Sequence, residues 1–118
     1  MHDHASSVCR AFTLVEIMIV VVIIGLLAAL AIPAFQQVRA SAQDKAVLNN
    51  ARQMSAAAEQ YYMDYGVSIV PSVNLVGLTN YVKALNTVAG EHYPDWYFQG
   101  MTVIISGVAG VRTVTYAP

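Results

Sequence analysis

Cysteine is nearly absent from this chain: Cys9 is the single one in 118 residues. No intrachain disulfide can form, so the fold must hold together by packing or by assembly with other chains. Histidine is equally sparse. His2 and His4 lie in the first few residues and His92 stands alone, which leaves no Cys/His cluster with zinc-ligand spacing. Charge is scarce as well, at 11% of residues with a formal net charge of -1. The scattered Lys and Arg form no stripe able to neutralise a run of phosphates, so specific binding to nucleic acid is not expected. Catalytic signatures are missing too: no G-x-S-x-G elbow, no Gly-rich phosphate loop and no paired carboxylates at a useful spacing. Glu91 and Asp95, the acids in the C-terminal region, are too few for a hard-cation site needing about six to eight oxygens. The expectation is a chain that is not an enzyme and carries no metal or cofactor.

Apolar residues, by contrast, make up 57% of the chain, too many for an ordinary soluble domain of this size. Some of that surface must meet lipid or other subunits. Its distribution is polarised. Residues 1–11 (MHDHASSVCRA) are polar, with Arg10 just ahead of the apolar run, and residues 12–35 (FTLVEIMIVVVIIGLLAALAIPAF) are almost wholly apolar. No polar side chain occurs from Ile17 to Ile32, and the flanking Phe12–Val15 and Ala34–Phe35 bring the stretch to the roughly 18 to 20 residues that span a bilayer. A secretory signal peptide also has a basic flank and an apolar core, but that core runs about 7 to 15 residues and ends in a small-residue cleavage site. Here the run is longer, and residues 36–65 continue in helix formers with no break before Gly66.

The pattern predicts one helix from about residue 12 to 65, whose stretch from Thr13 to Asp64 alone would run about 78 Å at roughly 1.5 Å per residue. In its second half Val47, Ala51, Met54, Ala58, Tyr61 and Tyr65 recur at spacings of 4, 3, 4, 3 and 4, opposite Lys45, Asn49, Asn50, Arg52, Gln53, Glu59 and Gln60. Such a stripe is a docking face for the rest of the chain. Gly25 and Pro33 weaken the hydrogen-bond ladder and predict a kink or local melting between them. Membrane helices tolerate such residues, and Gly25 also suits close helix packing. From Gly66 to Pro118 the signals turn to strands. Val67–Val70 is short and apolar, Asn74–Asn86 suits a brief helix or turn with Tyr81 and Val82 packing inward, and Met101–Ser106 and Val111–Tyr116 flank a Gly107–Gly110 turn as a hairpin. A hairpin is marginal by itself and needs a partner surface, which the helix face supplies. The tyrosines, Trp96 and Phe98 are read as packing anchors.

Glu16 is the carboxylate at the edge of the apolar run. At the centre of a membrane helix an acidic group costs roughly 2.5 to 3.5 kcal/mol, and less near an interface, so Glu16 calls for a partner or an interfacial position. Its neighbours bear on which. Arg10-Ala11-Phe12-Thr13-Leu14-Val15-Glu16, followed at once by IMIVVVIIGLLAALAIPAF, resembles the class III signal of type IV pilins and pseudopilins. That family has a short basic leader, a cleavage site immediately before Phe, Glu as the fifth mature residue, and a helix with Gly and Pro where Gly25 and Pro33 stand. The match is close over about residues 10–35 and holds in pattern only beyond.

The resemblance implies an α+β pilin-like fold, a long N-terminal helix with a small antiparallel sheet on its C-terminal half. Residues 1–11 would be a leader peptide, 12–35 a transmembrane and filament-core helix, 36–65 its amphipathic continuation, and 66–118 a small β-rich globular region. It further implies that prepilin peptidase cuts between Ala11 and Phe12 and methylates the new Phe12 amine. Glu16 would serve assembly by pairing with the Phe12 amine of a neighbouring subunit. A buried carboxylate is strongly penalised alone and much less beside a cation, which agrees with that role. The family usually has Gly before the cut, and Ala11 here is a small-residue departure that bears on the rate of processing. The implied function is a structural subunit of a type IV pilus-like filament, with a pseudopilin of type II secretion as the alternative. Implied partners are further copies in a helical filament, prepilin peptidase, and an inner-membrane assembly platform with its ATPase. The precursor would cross the inner membrane once, and the assembled form would be a cell-surface filament or periplasmic pseudopilus. Many major pilins close a C-terminal loop with a disulfide and the major pseudopilin usually carries a calcium loop; lacking the residues for either, this sequence favours a compact pilin without metal.

Overall fold

The computed structural model describes residues 11–118; the expected leader up to Arg10, with His2, His4 and Cys9, lies outside the described residues. A first helix, α1 (Leu14–Tyr65), is followed by β1 (Ile69–Pro71), α2 (Ser72–Leu75), β2 (Trp96–Phe98), β3 (Val103–Val108) and β4 (Arg112–Tyr116). This is the α+β arrangement expected, and α1, at 52 residues, begins and ends within two residues of the anticipated bounds. It stays helical through Gly25 and Pro33. Gly66 ends it: φ is +66° there, and its N–H donates to the Tyr62 carbonyl at 2.9 Å, the left-handed terminator that glycine adopts without a Cβ clash.

The chain divides after Gln37 into two units. In the first, every residue from Ala11 to Gln37 is exposed, so the apolar side chains of this part of α1 have no packing partner among the described residues. It contains the one helical stretch, among the described residues, long and apolar enough to cross a membrane.

The second unit, Val38–Pro118, has a core. Val47, Ala51, Met54, Ala57, Ala58 and Tyr62 of α1 are buried together with Val70, Leu75, Val82, Tyr97, Val103, Ile105 and Val108. The expected stripe is therefore right from Val47 to Ala58 and drifts at its end. Tyr62 is buried, Tyr61 is half-buried, and Tyr65 is exposed. A strict seven-residue repeat slips by about 20° per heptad on an ideal helix, which over two heptads carries Tyr62 toward the sheets. Tyr65 is the last helical residue, and its ring lies against Tyr61 with centroids 4.4 Å apart.

The strands form two two-stranded sheets rather than one. β1 and β2 are antiparallel with Ile69 beside Phe98, Val70 beside Tyr97 and Pro71 beside Trp96. β3 and β4 form the expected hairpin, with an irregularity between Ile105 and Val108. Its first strand runs two residues beyond Ser106, through Gly107, and the turn falls at residues 109–111, with Ala109 and Gly110 at φ +53° and +84°. β2 was not expected as a strand. Val82 is buried and Tyr81 half-buried, as anticipated. The Tyr81 hydroxyl donates to the Asp64 carboxylate near the end of α1, which pushes its pKa up to about 12.

Two polar ties complete the unit. Arg112 of β4 donates to Asp44 Oδ2 and to Gln43 Oε1 of α1, both at 3.2 Å. Glu91 is buried, and its carboxylate accepts the N–H groups of Val88 and Ala89 and the Tyr93 hydroxyl, at 2.7 to 3.1 Å. Burial pushes this carboxyl up, but the backbone N–H groups and Tyr93 outweigh it and hold the pKa below the ordinary 4.5. A folded-state pKa below the unfolded one contributes stability that is fully present above about pH 4.5 and is lost as the pH falls through the folded value.

Met54, fully buried, should cost about 2 to 5 kcal/mol when cut to Ala, against less than about 0.5 kcal/mol for Met63→Ala on the exposed side. Urea midpoints of the detergent-solubilised chain, followed by tyrosine and tryptophan fluorescence, measure both. Glu91→Gln should cost about 1 to 3 kcal/mol at pH 7 and should flatten the loss of stability below pH 4.5. An unchanged acid profile in that variant would assign the pH dependence elsewhere.

Candidate functional site

Between Ala11 and Val38 the chain has one ionisable side chain, Glu16. Around it the local sequence builds a helix start. A helix leaves its first N–H groups without intrahelical acceptors, and in Thr-x-x-Glu the two side chains satisfy two of them reciprocally. Thr13-Leu14-Val15-Glu16 does this: the Glu16 N–H donates to Thr13 Oγ1 and the Thr13 N–H donates to Glu16 Oε2, both at 3.2 Å. The carboxylate also sits in the first turn, where the helix dipole favours negative charge.

The singled-out residues fall into two groups. Ala11 and Phe12 precede α1, outside any helix or strand, and both are exposed, Phe12 at 83%. A backbone that is exposed and free of regular hydrogen bonding is the kind a protease can bind. Glu16 follows in the first turn, so the structure gathers Ala11, Phe12 and Glu16 at one end of α1. Gly25 and Pro33 lie further along it. A Cβ placed on Gly25 would meet nothing within 4 Å, so no intrachain contact accounts for a glycine that costs about 1 kcal/mol in a helix interior.

Thr13 was missed as a functional residue by reading Glu16 alone. The signal was present: Thr followed three residues later by Glu, directly ahead of an apolar run, is a helix-start signature. Chemically the site offers a single carboxylate at the head of an apolar helix. Among the described residues only its Oε2 is engaged, by the Thr13 N–H. It can hold a cation of another molecule while keeping its own helix capped, and such a pair lessens the cost of taking the carboxylate into an apolar surrounding.

Residues 6–32 match the family described as the prokaryotic N-terminal methylation motif. Over 109 residues the chain is 47% identical to the fimbrial protein EcpC of Eikenella corrodens, a match covering 92% of this chain and 63% of EcpC. It is 41% identical over 58 residues to the type IV major pilin protein PilE of Neisseria gonorrhoeae, covering 49% of this chain and 35% of PilE. With the type IV major fimbrial protein FimA of Dichelobacter nodosus it shares 47% over 58 residues, covering 49% of this chain and 37% of FimA. The chain thus spans less than two thirds of the length of these relatives. No solved structure matches it.

Thr13→Val removes one half of the reciprocal cap and should cost the helix start about 0.5 to 2 kcal/mol. Amide hydrogen exchange in detergent micelles should then accelerate at Leu14–Ile17 and stay unchanged at Val47–Ala58. Glu16→Gln keeps an acceptor for the Thr13 N–H and should leave exchange near the wild-type rate, whereas Glu16→Ala should behave like Thr13→Val.

Proposed function

The chain belongs to the type IV pilin family, and from that premise we propose that it is a structural subunit of a type IV pilus-like filament, held in the inner membrane as a prepilin until it polymerises through the first part of α1. The observation that carries this reading is an apolar helix without intrachain cover, headed by a single capped carboxylate. Lipid can cover that surface before assembly, and identical helices of other subunits can cover it afterwards. The role is mechanical rather than catalytic. Pilus and fimbrial names among the relatives favour a pilus over a type II pseudopilus.

Maturation supplies the cation that Glu16 needs. Prepilin peptidase cuts between Ala11 and Phe12, removes residues 1–11 and methylates the Phe12 amine, which stays protonated at neutral pH because methylation keeps an amine basic. In the filament this ammonium pairs with Glu16 of a neighbouring subunit, so that each subunit brings one positive and one negative group into an otherwise apolar core. A mismatch in axial position leaves both charges uncompensated, so the pair also sets register. Gly25 and Pro33 mark where α1 gives way during packing, since the ladder is weakest there. An assembly platform and its ATPase in the inner membrane drive the transfer from lipid to filament, and the product is a surface appendage.

Intact-mass spectrometry of protein from membranes and from sheared surface filaments tests the reading. A species beginning at methylated Phe12 in the sheared fraction is expected. Full-length protein confined to membranes would sink it and leave a simple membrane anchor. Glu16→Gln, which keeps the helix cap, should reduce sheared filaments by at least about a hundredfold while processing continues, since one charge of a buried pair is then left alone at a cost of about 3 to 5 kcal/mol.

A further inference from the structure

An exposed face of an antiparallel sheet is ordinarily polar, and the outer face of the β1–β2 sheet is not. Val70 and Tyr97 turn inward to the core. Alternation therefore sends Ile69, Pro71, Trp96 and Phe98 outward, as two cross-strand pairs. Trp96 and Phe98 are 54% and 50% exposed, and Met101 and Ile104 are exposed alongside them. The last four side chains line a groove of about 340 Å³, room enough for an aliphatic side chain.

Charge says what fits it. Beyond Gly66 the chain has four charged residues, Lys83, Glu91, Asp95 and Arg112. Glu91 is buried in its own hydrogen bonds and Arg112 is bonded to Asp44. The other two are exposed and of opposite sign. Asp95 directly precedes Trp96 at the rim of the apolar face. Lys83 follows a loop in which Leu78 is 89% exposed. That loop is held in shape. Val76 and Val82 form an isolated bridge, and Asn80 Nδ2 donates to the Val73 and Val76 carbonyls at 3.2 Å. Leu78 is thus presented with little ordering left to do on contact.

We propose that the outer β1–β2 face of one copy receives the 78–83 loop of a second copy, with Leu78 in the groove between Trp96, Phe98, Met101 and Ile104 and Lys83 paired with Asp95. The proposal rests on the filament reading and names one lateral contact within it. The two faces differ, so the contact is heterologous and each copy keeps one of each kind available for a further copy, as a filament requires. The single pair of opposite charges gives it direction, because the reversed contact would set apolar faces together with both charges unmatched.

The test uses the full chain in the membranes and filaments of an expressing bacterium, in a Cys9→Ser background. Leu78→Cys combined with Phe98→Cys, oxidised and run on a non-reducing gel, should give a ladder of whole-number multiples of the chain, and either substitution alone should give none. Asp95→Lys should lower sheared filaments at least about tenfold, and adding Lys83→Asp should restore them. Filaments that contain the double-cysteine chain yet give no ladder, or a charge swap without rescue, would overturn this contact while leaving the filament reading intact. A cross-linked band with a different protein would overturn the second copy as occupant. Absence of filaments even from the unsubstituted chain would remove the filament reading, and this contact with it.

Discussion

From Leu14 to Phe35 the side chains of α1 are exposed, with nothing among the described residues to pack on, and the rest of the molecule can be understood from that constraint. A surface of this kind survives only where its backbone polar groups are satisfied internally, which is why the segment is a helix. It also explains why the helix start is capped by its own side chains. Water is a poor substitute acceptor at an apolar boundary, and the reciprocal Thr13–Glu16 bonds do without it. The same carboxylate then has two duties, one toward its own backbone and, on the proposed reading, one toward a neighbour's amine.

The second half of α1 solves the opposite problem, which is to let a small unit stay folded. Ala51, Ser55, Ala57 and Ala58 make the buried face shallow, while Met54 and Tyr62 add bulk to the core beside them. Such a unit buries modest apolar area and has no disulfide, so single polar ties weigh heavily in its stability. Glu91 spends no charge on the surface: it organises the 88–91 segment from inside. Arg112 fastens the last strand to the helix through Asp44 and Gln43.

Features written in local periodicity were legible from the chain itself. The apolar run, the extent of α1, the stripe from Val47 to Ala58 and the β3–β4 hairpin each follow from spacing or composition within a few neighbouring residues. The failures have a common physical origin. Three-residue strands such as β1 and β2 are too short to show alternation, and their pairing joins segments that nothing local connects. Trp96-Tyr97-Phe98, set between Pro94-Asp95 and Gly100, is rich enough in strand formers to have suggested β2. Glu91 looked like a spare acid because its burial depends on backbone N–H groups whose direction only the fold decides. At the helix start, Glu16 was singled out for its charge and the capping role it shares with Thr13 was overlooked, since a carboxylate in an apolar run draws the eye to charge and away from the helix end it closes. Tyr65 was misjudged because angular position on a helix says nothing about where the covering strands stop.

The bond between Asp44 and Arg112 joins residues 68 apart in the chain. Contacts so distant along the sequence form late, because a long loop must close before they contribute anything. The apolar part of α1, by comparison, is complete as soon as about twenty-odd consecutive residues have been synthesised, and needs no distant partner. Anchoring and folding are therefore separated in time. On the proposed reading, the molecule would meet the membrane first and acquire its compact unit second, with the Val47–Tyr62 face bare in the interval. Whatever compartment receives that nascent segment has to tolerate it unfolded and tethered, which limits how far it can diffuse and how readily it can meet another unfinished copy.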